Sequence, residues 1–238
     1  SEADRQALSG HITPCTPVTP YYALLLGSDS RDDGEPARTD TIMLARIDPL
    51  ADKVTLVSIP RDTKVELEGH GTQKINAAYA FGGVSGITSA VSSLTNVNIS
   101  QVALIDFDGL TSLIDAIGGV TVTVPVDIND PDYTGLVMAA GVHEMDGNTA
   151  MLFSRVRHGF ALGDYQRQAN QRILIQAIVQ KLRSNPALMP VAADSLGNVL
   201  KTTYHCYDLI PVLARMSMQP PTIYSASIPS TTQRIRGV

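Results

Sequence analysis

Residues 21–62 read YYALLLGSDSRDDGEPARTDTIMLARIDPLADKVTLVSIPRD and contain three apolar stretches, at 21–26, 41–47 and 54–59. Each stretch has the length and the branched or aromatic residues that are typical of a β-strand. The polar segment DPLAD at 48–52 has the composition of a hairpin loop between the second and third stretches. We therefore expect three strands that alternate in direction within one sheet.

Charged residues stand where these strands reach a common edge. If the strands alternate, the first ends, the second begins and the third ends at the same edge, which then carries Asp29, Arg31, Arg38, Asp40 and Arg61. Two carboxylates and three guanidinium groups suit a multiply anionic ligand bound with a metal ion, such as a diphosphate. On residue types alone, each acid could equally be a salt-bridge partner of Arg31 or Arg38.

The rest of the chain alternates between helical and extended patterns. Helices are predicted at 76–81, 84–94, 107–117 and 146–153, and strands at 102–105 and 120–124, while 125–142 reads as a loop. A break in the first helical region is predicted at Gly82 and Gly83. These elements predict the α/β class, with three α/β/α layers and a mixed central sheet.

A long helix is predicted from about residue 164 to residue 182. Its apolar stripe passes through Leu174, and the same spacing places Arg167 and Gln171 on the inward face, in the first two turns. Burying an arginine without a partner is costly, so it should meet an anion. That anion is either a bound ligand, which the start of a helix also favours, or a carboxylate such as Asp164.

Composition narrows the class of protein. The chain has 238 residues, 44% of them hydrophobic, which is enough for one substantial core. We expect residues 1–20 to be an extended lead-in and residues 21–238 to be a single domain. The net charge of −5 argues against general nucleic-acid binding. Arginine supplies 13 of the 18 basic residues, as suits two-pronged binding of phosphate.

Several short motifs follow one another in an order that resembles a known family. They are GSDSR (27–31), RTDT (38–41), IPRD (59–62), KIN (74–76), DFDG (106–109) and SRVRH (154–158). The series resembles the LytR-CpsA-Psr (LCP) family of bacterial cell-envelope phosphotransferases, over about residues 21–182. The resemblance implies transfer of a glycosyl phosphate from a polyprenyl-diphosphate-linked glycan to an acceptor hydroxyl in the cell wall. The acceptor would be peptidoglycan or a surface protein that becomes glycosylated.

The resemblance also implies roles for individual residues. Asp29 and Asp40 would hold Mg²⁺ against the diphosphate, and one of them is our candidate base. The catalytic set would be Asp29, Arg38, Asp40 and Arg155. The residues that would contact the diphosphate or line its site are Arg31, Arg38, Arg61, Lys74, Arg155, Arg157, Arg167 and Gln171. From the alternation of side chains alone, Arg155 and Arg157 would project on one side of the chain if their segment is extended, with Val156 on the other. Asn170 stands where many family members have an arginine.

Location follows from the same resemblance. No run in the chain approaches 18 apolar residues. Family members usually have an N-terminal transmembrane helix, so we interpret this chain as the ectodomain of a membrane-anchored protein on the outer face of the cell membrane. Cys15 and Cys206 are either two unrelated buried thiols or, in an extracellular setting, a disulfide.

Two other functions remain open. A polyprenyl-diphosphate hydrolase would use the same residues with water as acceptor. A non-catalytic lipid-binding or regulatory module would keep the arginines but would not require both acids. The lipid would need an apolar slot, for which candidate lining residues are Leu110, Leu113, Ile117, Leu174 and Ile178. An ordinary core position is the simpler reading of each.

Overall fold

The structure is a computed structural model that describes residues 19–29, 38–157, 163–199, 201–202 and 221–228. Arg31, Cys15 and Cys206 lie outside these ranges, so the disulfide stays a prediction. The described chain forms two compact units. The first contains the described residues up to Ile105 with 201–202 and 222–228, and the second contains those of 106–199 with Pro221. The single domain over 21–238 also stays a prediction.

The described residues contain twelve strands and five α-helices. In chain order they are β1 (Tyr21–Asp29), β2 (Arg38–Asp48), β3 (Lys53–Ser58), β4 (Lys64–Leu67), β5 (Gly71–Lys74), α1 (Ala77–Thr95), β6 (Ile99–Asp106), α2 (Phe107–Ala116), β7 (Val120–Val124), β8 (Ile128–Asp130), β9 (Leu136–Met138), β10 (Gly141–Met145), α3 (Gly147–Arg155), α4 (Gly163–Ser184), α5 (Met189–Val199), β11 (Lys201–Thr202) and β12 (Thr222–Ser227). A 3₁₀ turn, Pro186–Leu188, precedes α5.

The first unit is built on a six-stranded sheet in the order β11-β6-β1-β2-β3-β12. β1 pairs antiparallel with β2 and β2 antiparallel with β3, whereas β12 runs parallel to β3. The α/β class and the mixed sheet are thus confirmed, as are the three predicted strands. In the predicted hairpin loop, the Ala51 amide donates to the Asp48 carboxylate over 3.1 Å, and this bond is the main cause of the lowered pKa of Asp48.

The central strands β1 and β2 of this sheet are buried on both faces. One face packs with α1 in a core that includes Leu24, Leu44, Leu104 and Ile87. The intervening residues, such as Met43, are buried as well. A strand that is buried on both faces needs apolar residues at successive positions, which explains the nearly continuous apolar run in β1.

The predicted break in the first helix is confirmed. α1 is a pair of helical segments joined at Gly83, whose φ of 57° and ψ of −146° lie outside the helical region. Glycine tolerates this conformation because it has no Cβ. Gly86 allows a close approach, since a Cβ there would lie 2.4 Å from the Ala78 carbonyl oxygen.

The second unit contains α2 to α5 around one apolar core, which includes Ile114, Phe153 and Leu174. Side chains cap two of these helices at the N-terminus: Asp106 accepts from the Gly109 amide at 2.8 Å, and Asp146 from the Thr149 amide at 2.8 Å. The predicted helices at 107–117, 146–153 and 164–182 are confirmed. All the residues considered for a lipid slot belong to this core or pack against it.

The predicted loop at 125–142 is wrong. β8 and β9 pair as a short hairpin, and β10 begins at Gly141. Each hairpin strand has only three residues, too few for an alternating pattern to be visible. β7 was predicted correctly as a strand, but it pairs with β10 and not within the six-stranded sheet.

Among the helices in the described ranges, none combines the length and the apolar character needed to cross a membrane.

Candidate functional site

The edge where β1 ends and β2 begins carries a β-bulge. Gly27 is opposite Thr41 and Ser28 is opposite Thr39, so Asp40 is the extra residue between them. A bulge turns the strand locally and redirects the side chain of the inserted residue. Asp29, the last residue of β1, is opposite Arg38, the first residue of β2. The register therefore brings the backbones of Asp29, Arg38 and Asp40 together, as predicted.

Asp40 forms an ion pair with Arg61. The Arg61 guanidinium donates from Nη1 to Asp40 Oδ1 over 2.5 Å, and the Asp40 side chain is 22% exposed. Arg61 reaches this position because the Ile59 amide donates to the Ile42 carbonyl and so extends the β2–β3 ladder past β3. The alternative partners considered for Asp40 were Arg31 or Arg38, and the structure adds Arg61, a predicted diphosphate ligand.

A second acid extends this pair toward Lys74. Asp62 Oδ2 lies 3.9 Å from Arg61 Nε, and Asp62 Oδ1 lies 3.1 Å from Lys74 Nζ. The backbone supports the arrangement, because the Asn76 amide, two residues beyond Lys74, donates to the Arg61 carbonyl over 3.2 Å. Asp40, Arg61, Asp62 and Lys74 thus form a row of alternating charge, which we call the charge row.

The charge row fits a magnesium ion that arrives with its ligand. Within the described ranges, no cluster of three or more His, Cys, Asp or Glu side chains is placed to hold a metal. Mg²⁺ is commonly bound by one or two carboxylates with waters and substrate phosphates, so a partly exposed Asp40 on a strand rim is a suitable ligand. The side chain of Asp29 is outside the described structure, and its metal role stays a prediction.

Arg155 does not lie in an extended segment, so that prediction is wrong. It is the last residue of α3, and its guanidinium lies 5.0 Å from the centre of the Phe107 ring, with Nη1 3.9 Å from Met151 Sδ. A cation in the last turn favours the helix because it meets the negative end of the helix dipole. Val156, which follows the helix, has non-helical backbone angles, and Arg157 after it is exposed.

The predicted inward face of α4 is confirmed. Arg167 is 4% exposed and Gln171, one turn later, is 9% exposed. Asn170, directly before Gln171, is 1% exposed. Gln171 Nε2 donates to the Ser154 carbonyl over 3.3 Å, and Asn170 Nδ2 donates to the Phe153 carbonyl over 3.2 Å. The chain therefore uses Asn170 for a contact with the backbone of α3.

The predicted site residues thus fall into two groups. Asp29, Arg38, Asp40, Arg61 and Lys74 belong to the first unit, whereas Arg155, Arg157, Arg167 and Gln171 belong to the second. Two contacts were not predicted: the ion pair between Asp62 and Lys74, and the contact of the Arg155 guanidinium with the Phe107 ring. Phe107 stands in the DFDG motif, directly after the acid that caps α2, which was the available signal.

Comparisons with known proteins agree with this fold. The LytR_cpsA_psr family model matches residues 3–238. A protein of Enterococcus faecalis named polyisoprenyl-teichoic acid–peptidoglycan teichoic acid transferase TagU is 40% identical over 168 residues, which cover 69% of this chain and 54% of that protein. This chain spans about half the length of such curated relatives.

Solved structures share this fold. TagT bound to LI-WTA is 26% identical with a TM-score of 0.80, and the match covers 97% of this chain and 87% of that one. A protein of Enterococcus faecalis described as a transcriptional regulator is 29% identical with a TM-score of 0.81, covering 95% and 82%.

Proposed function

Because the chain belongs to the LytR_cpsA_psr family, we propose that it is a phosphotransferase acting on a polyprenyl-diphosphate-linked glycan. It transfers the glycosyl phosphate to an acceptor hydroxyl of the cell wall, either in peptidoglycan or in a surface protein. The Enterococcus faecalis relative is named for a reaction of this kind, from a polyisoprenyl carrier to peptidoglycan.

The observation that carries the proposal is the charge row. Its two cations, Arg61 and Lys74, are held by carboxylates within 4 Å of them. A row of two acids and two bases is neutral, so it attracts a bare diphosphate weakly. A magnesium ion on Asp40 would convert the repulsion between this carboxylate and the phosphates into attraction. The row therefore favours a diphosphate that binds together with Mg²⁺.

The reaction forms one bond and breaks one. The acceptor oxygen attacks the phosphorus that carries the glycan, the bond from that phosphorus to the bridging oxygen breaks, and polyprenyl phosphate leaves. The acceptor proton passes to a base, for which Asp29 or Asp40 is our candidate. We assign to Arg61, Lys74 and Arg38 the stabilisation of the charge that develops on the phosphates. The family resemblance implies the same role for Arg155, Arg157 and Arg167. Bound Mg²⁺ would supply further neutralisation of the phosphate oxygens.

The donor also locates the protein. A polyprenyl chain is held in the lipid bilayer, and a cell-wall acceptor lies outside the cell, so the reaction belongs at the outer surface of the cell membrane. The membrane helix that the family resemblance implies upstream of this chain would keep the enzyme there.

A reconstituted transfer reaction tests the proposal. The purified chain is incubated with a short-chain prenyl-diphosphate-linked disaccharide, Mg²⁺ and soluble peptidoglycan oligomers, and the products are analysed by mass spectrometry. We expect prenyl phosphate to be released in equal amount to acceptor carrying glycosyl phosphate. If the same amount of prenyl phosphate is released without any acceptor, the protein is a hydrolase and not a transferase. If the donor binds but no prenyl phosphate is released, the result supports a non-catalytic lipid-binding module.

A further inference from the structure

The end of α3 is held by side chains of α4. The last four carbonyls of a helix have no partner within the helix. Two of them, at Phe153 and Ser154, accept from Asn170 Nδ2 at 3.2 Å and from Gln171 Nε2 at 3.3 Å. Phe153 and Ser154 are buried, and a buried carbonyl without a donor costs about 1–3 kcal/mol. We call this pair of contacts the amide clamp.

A hydrogen bond within α4 orients the Asn170 side chain of the amide clamp. Asn170 Oδ1 accepts from Gln166 Nε2 over 3.0 Å, one turn earlier on α4. The oxygen of this amide is therefore occupied, and its nitrogen faces the Phe153 carbonyl. Consecutive donors on α4 meet consecutive acceptors on α3, which determines both the position and the rotation of the α3 end.

Arg155 is the residue directly after the clamped carbonyls. Each residue of an α-helix is rotated by about 100° from the one before it, so the direction of the Arg155 side chain follows from the placement of Phe153 and Ser154. The guanidinium of Arg155 lies over the face of the Phe107 ring, and this contact limits the rotamers that the Arg155 side chain can adopt. Arg155 is thus held through its backbone by the amide clamp and through its side chain by Phe107.

We propose that Asn170 and Gln171 are positioning residues that act on the diphosphate through Arg155. The inference rests on the proposed function, because it assigns Arg155 to the diphosphate. Gln171 then contributes to ligand affinity only while Arg155 is present. The direct alternative is that Gln171 contacts the phosphates itself, in which case its contribution does not depend on Arg155.

A double-mutant cycle separates these two roles. Calorimetry gives the Kd of a short-chain prenyl diphosphate, with Mg²⁺, for the wild type, Gln171→Met, Arg155→Ala and the double variant. Hydrogen exchange of the amides at 152–156 is measured on the same proteins. Gln180→Met, at an exposed position of the same helix, is the matched control. Asn170→Leu repeats the test, and melting curves show which variants are folded.

We expect Gln171→Met to raise Kd about 5- to 10-fold, as the loss of one hydrogen bond predicts, and to speed exchange at 152–156 by a similar factor. In the Arg155→Ala background, adding Gln171→Met should change Kd by less than about 2-fold, which is within the usual error of additivity. An equal rise in both backgrounds, or unchanged exchange, would overturn the inference. A wild type that binds no prenyl diphosphate would contradict the proposed function instead, while the exchange result would still decide whether the clamp holds α3.

Discussion

At the scale of single residues, the arginines of the candidate site are placed by specific neighbours. Arg61 is held by Asp40 at 2.5 Å and approached by Asp62, whereas Arg155 rests on the Phe107 ring. Such contacts limit the rotamers of a long side chain, so less conformational freedom is lost when a ligand binds. The motifs identified these arginines from the sequence, but the pairing of Arg61 with Asp40 and the contact of Arg155 with Phe107 depend on the tertiary structure and were not predicted.

Arg155 should be needed for transfer far more than for folding. We expect Arg155→Ala to lower the transfer rate about 10- to 150-fold, which corresponds to one charge-assisted hydrogen bond of roughly 1.5–3 kcal/mol. Loss of the contact with Phe107 should reduce the free energy of unfolding by only about 0.5–1 kcal/mol. Initial rates and urea denaturation measure the two effects. Arg183→Ala, at an exposed arginine of α4, is the control. A folded Arg155→Ala protein with the wild-type rate would remove Arg155 from the site.

At the scale of elements, sequence patterns predicted the helices α1 to α4 and the strands β1, β2, β3, β6 and β7, because the signals for these elements were local. The glycines at 82 and 83 interrupted an apolar pattern, and the acids at 106 and 146 preceded helical ones. Prediction failed where the signal was not local: the three-residue strands β8 and β9 are stabilised by pairing, and α3 continues to Arg155 although SRVRH has no helical signature. The donors that complete its last turn lie on another helix.

The break in α1 allows a matched test at two adjacent glycines. Gly83→Ala should lower the free energy of unfolding by about 1–3 kcal/mol, since φ of 57° with ψ of −146° is strained for any residue with a Cβ. Gly82→Ala should change it by less than about 1 kcal/mol and in the stabilising direction, because a Cβ there meets nothing within 4 Å. Chemical denaturation measures both. Equal effects of the two substitutions would show that the break is not the reason for glycine at 83.

At the scale of the whole molecule, the sequence identified the family and the order of its motifs, and the mixed α/β sheet followed from strand directions. Ion pairs such as Asp62–Lys74 could not be predicted, because they join side chains whose separation depends on the path of the β4–β5 hairpin. Asp40 is the one acid of the predicted metal pair whose side chain is described. Asp40 either binds magnesium with the diphosphate or only positions Arg61.

Titration calorimetry distinguishes these roles of Asp40. A short-chain prenyl diphosphate is titrated into the wild type, Asp40→Asn and Asp62→Asn, each with Mg²⁺ and with EDTA. Asp62→Asn is the matched control, because it removes the other carboxylate near Arg61. For the wild type and Asp62→Asn we expect Mg²⁺ to raise affinity about 5- to 150-fold, the usual range of coupling between two sites. Asp40→Asn should lose most of this gain, while its binding in EDTA stays the same or improves because a negative charge is removed. If Asp40→Asn instead weakens binding by the same factor in Mg²⁺ and in EDTA, Asp40 only positions Arg61, and the magnesium-assisted account is contradicted.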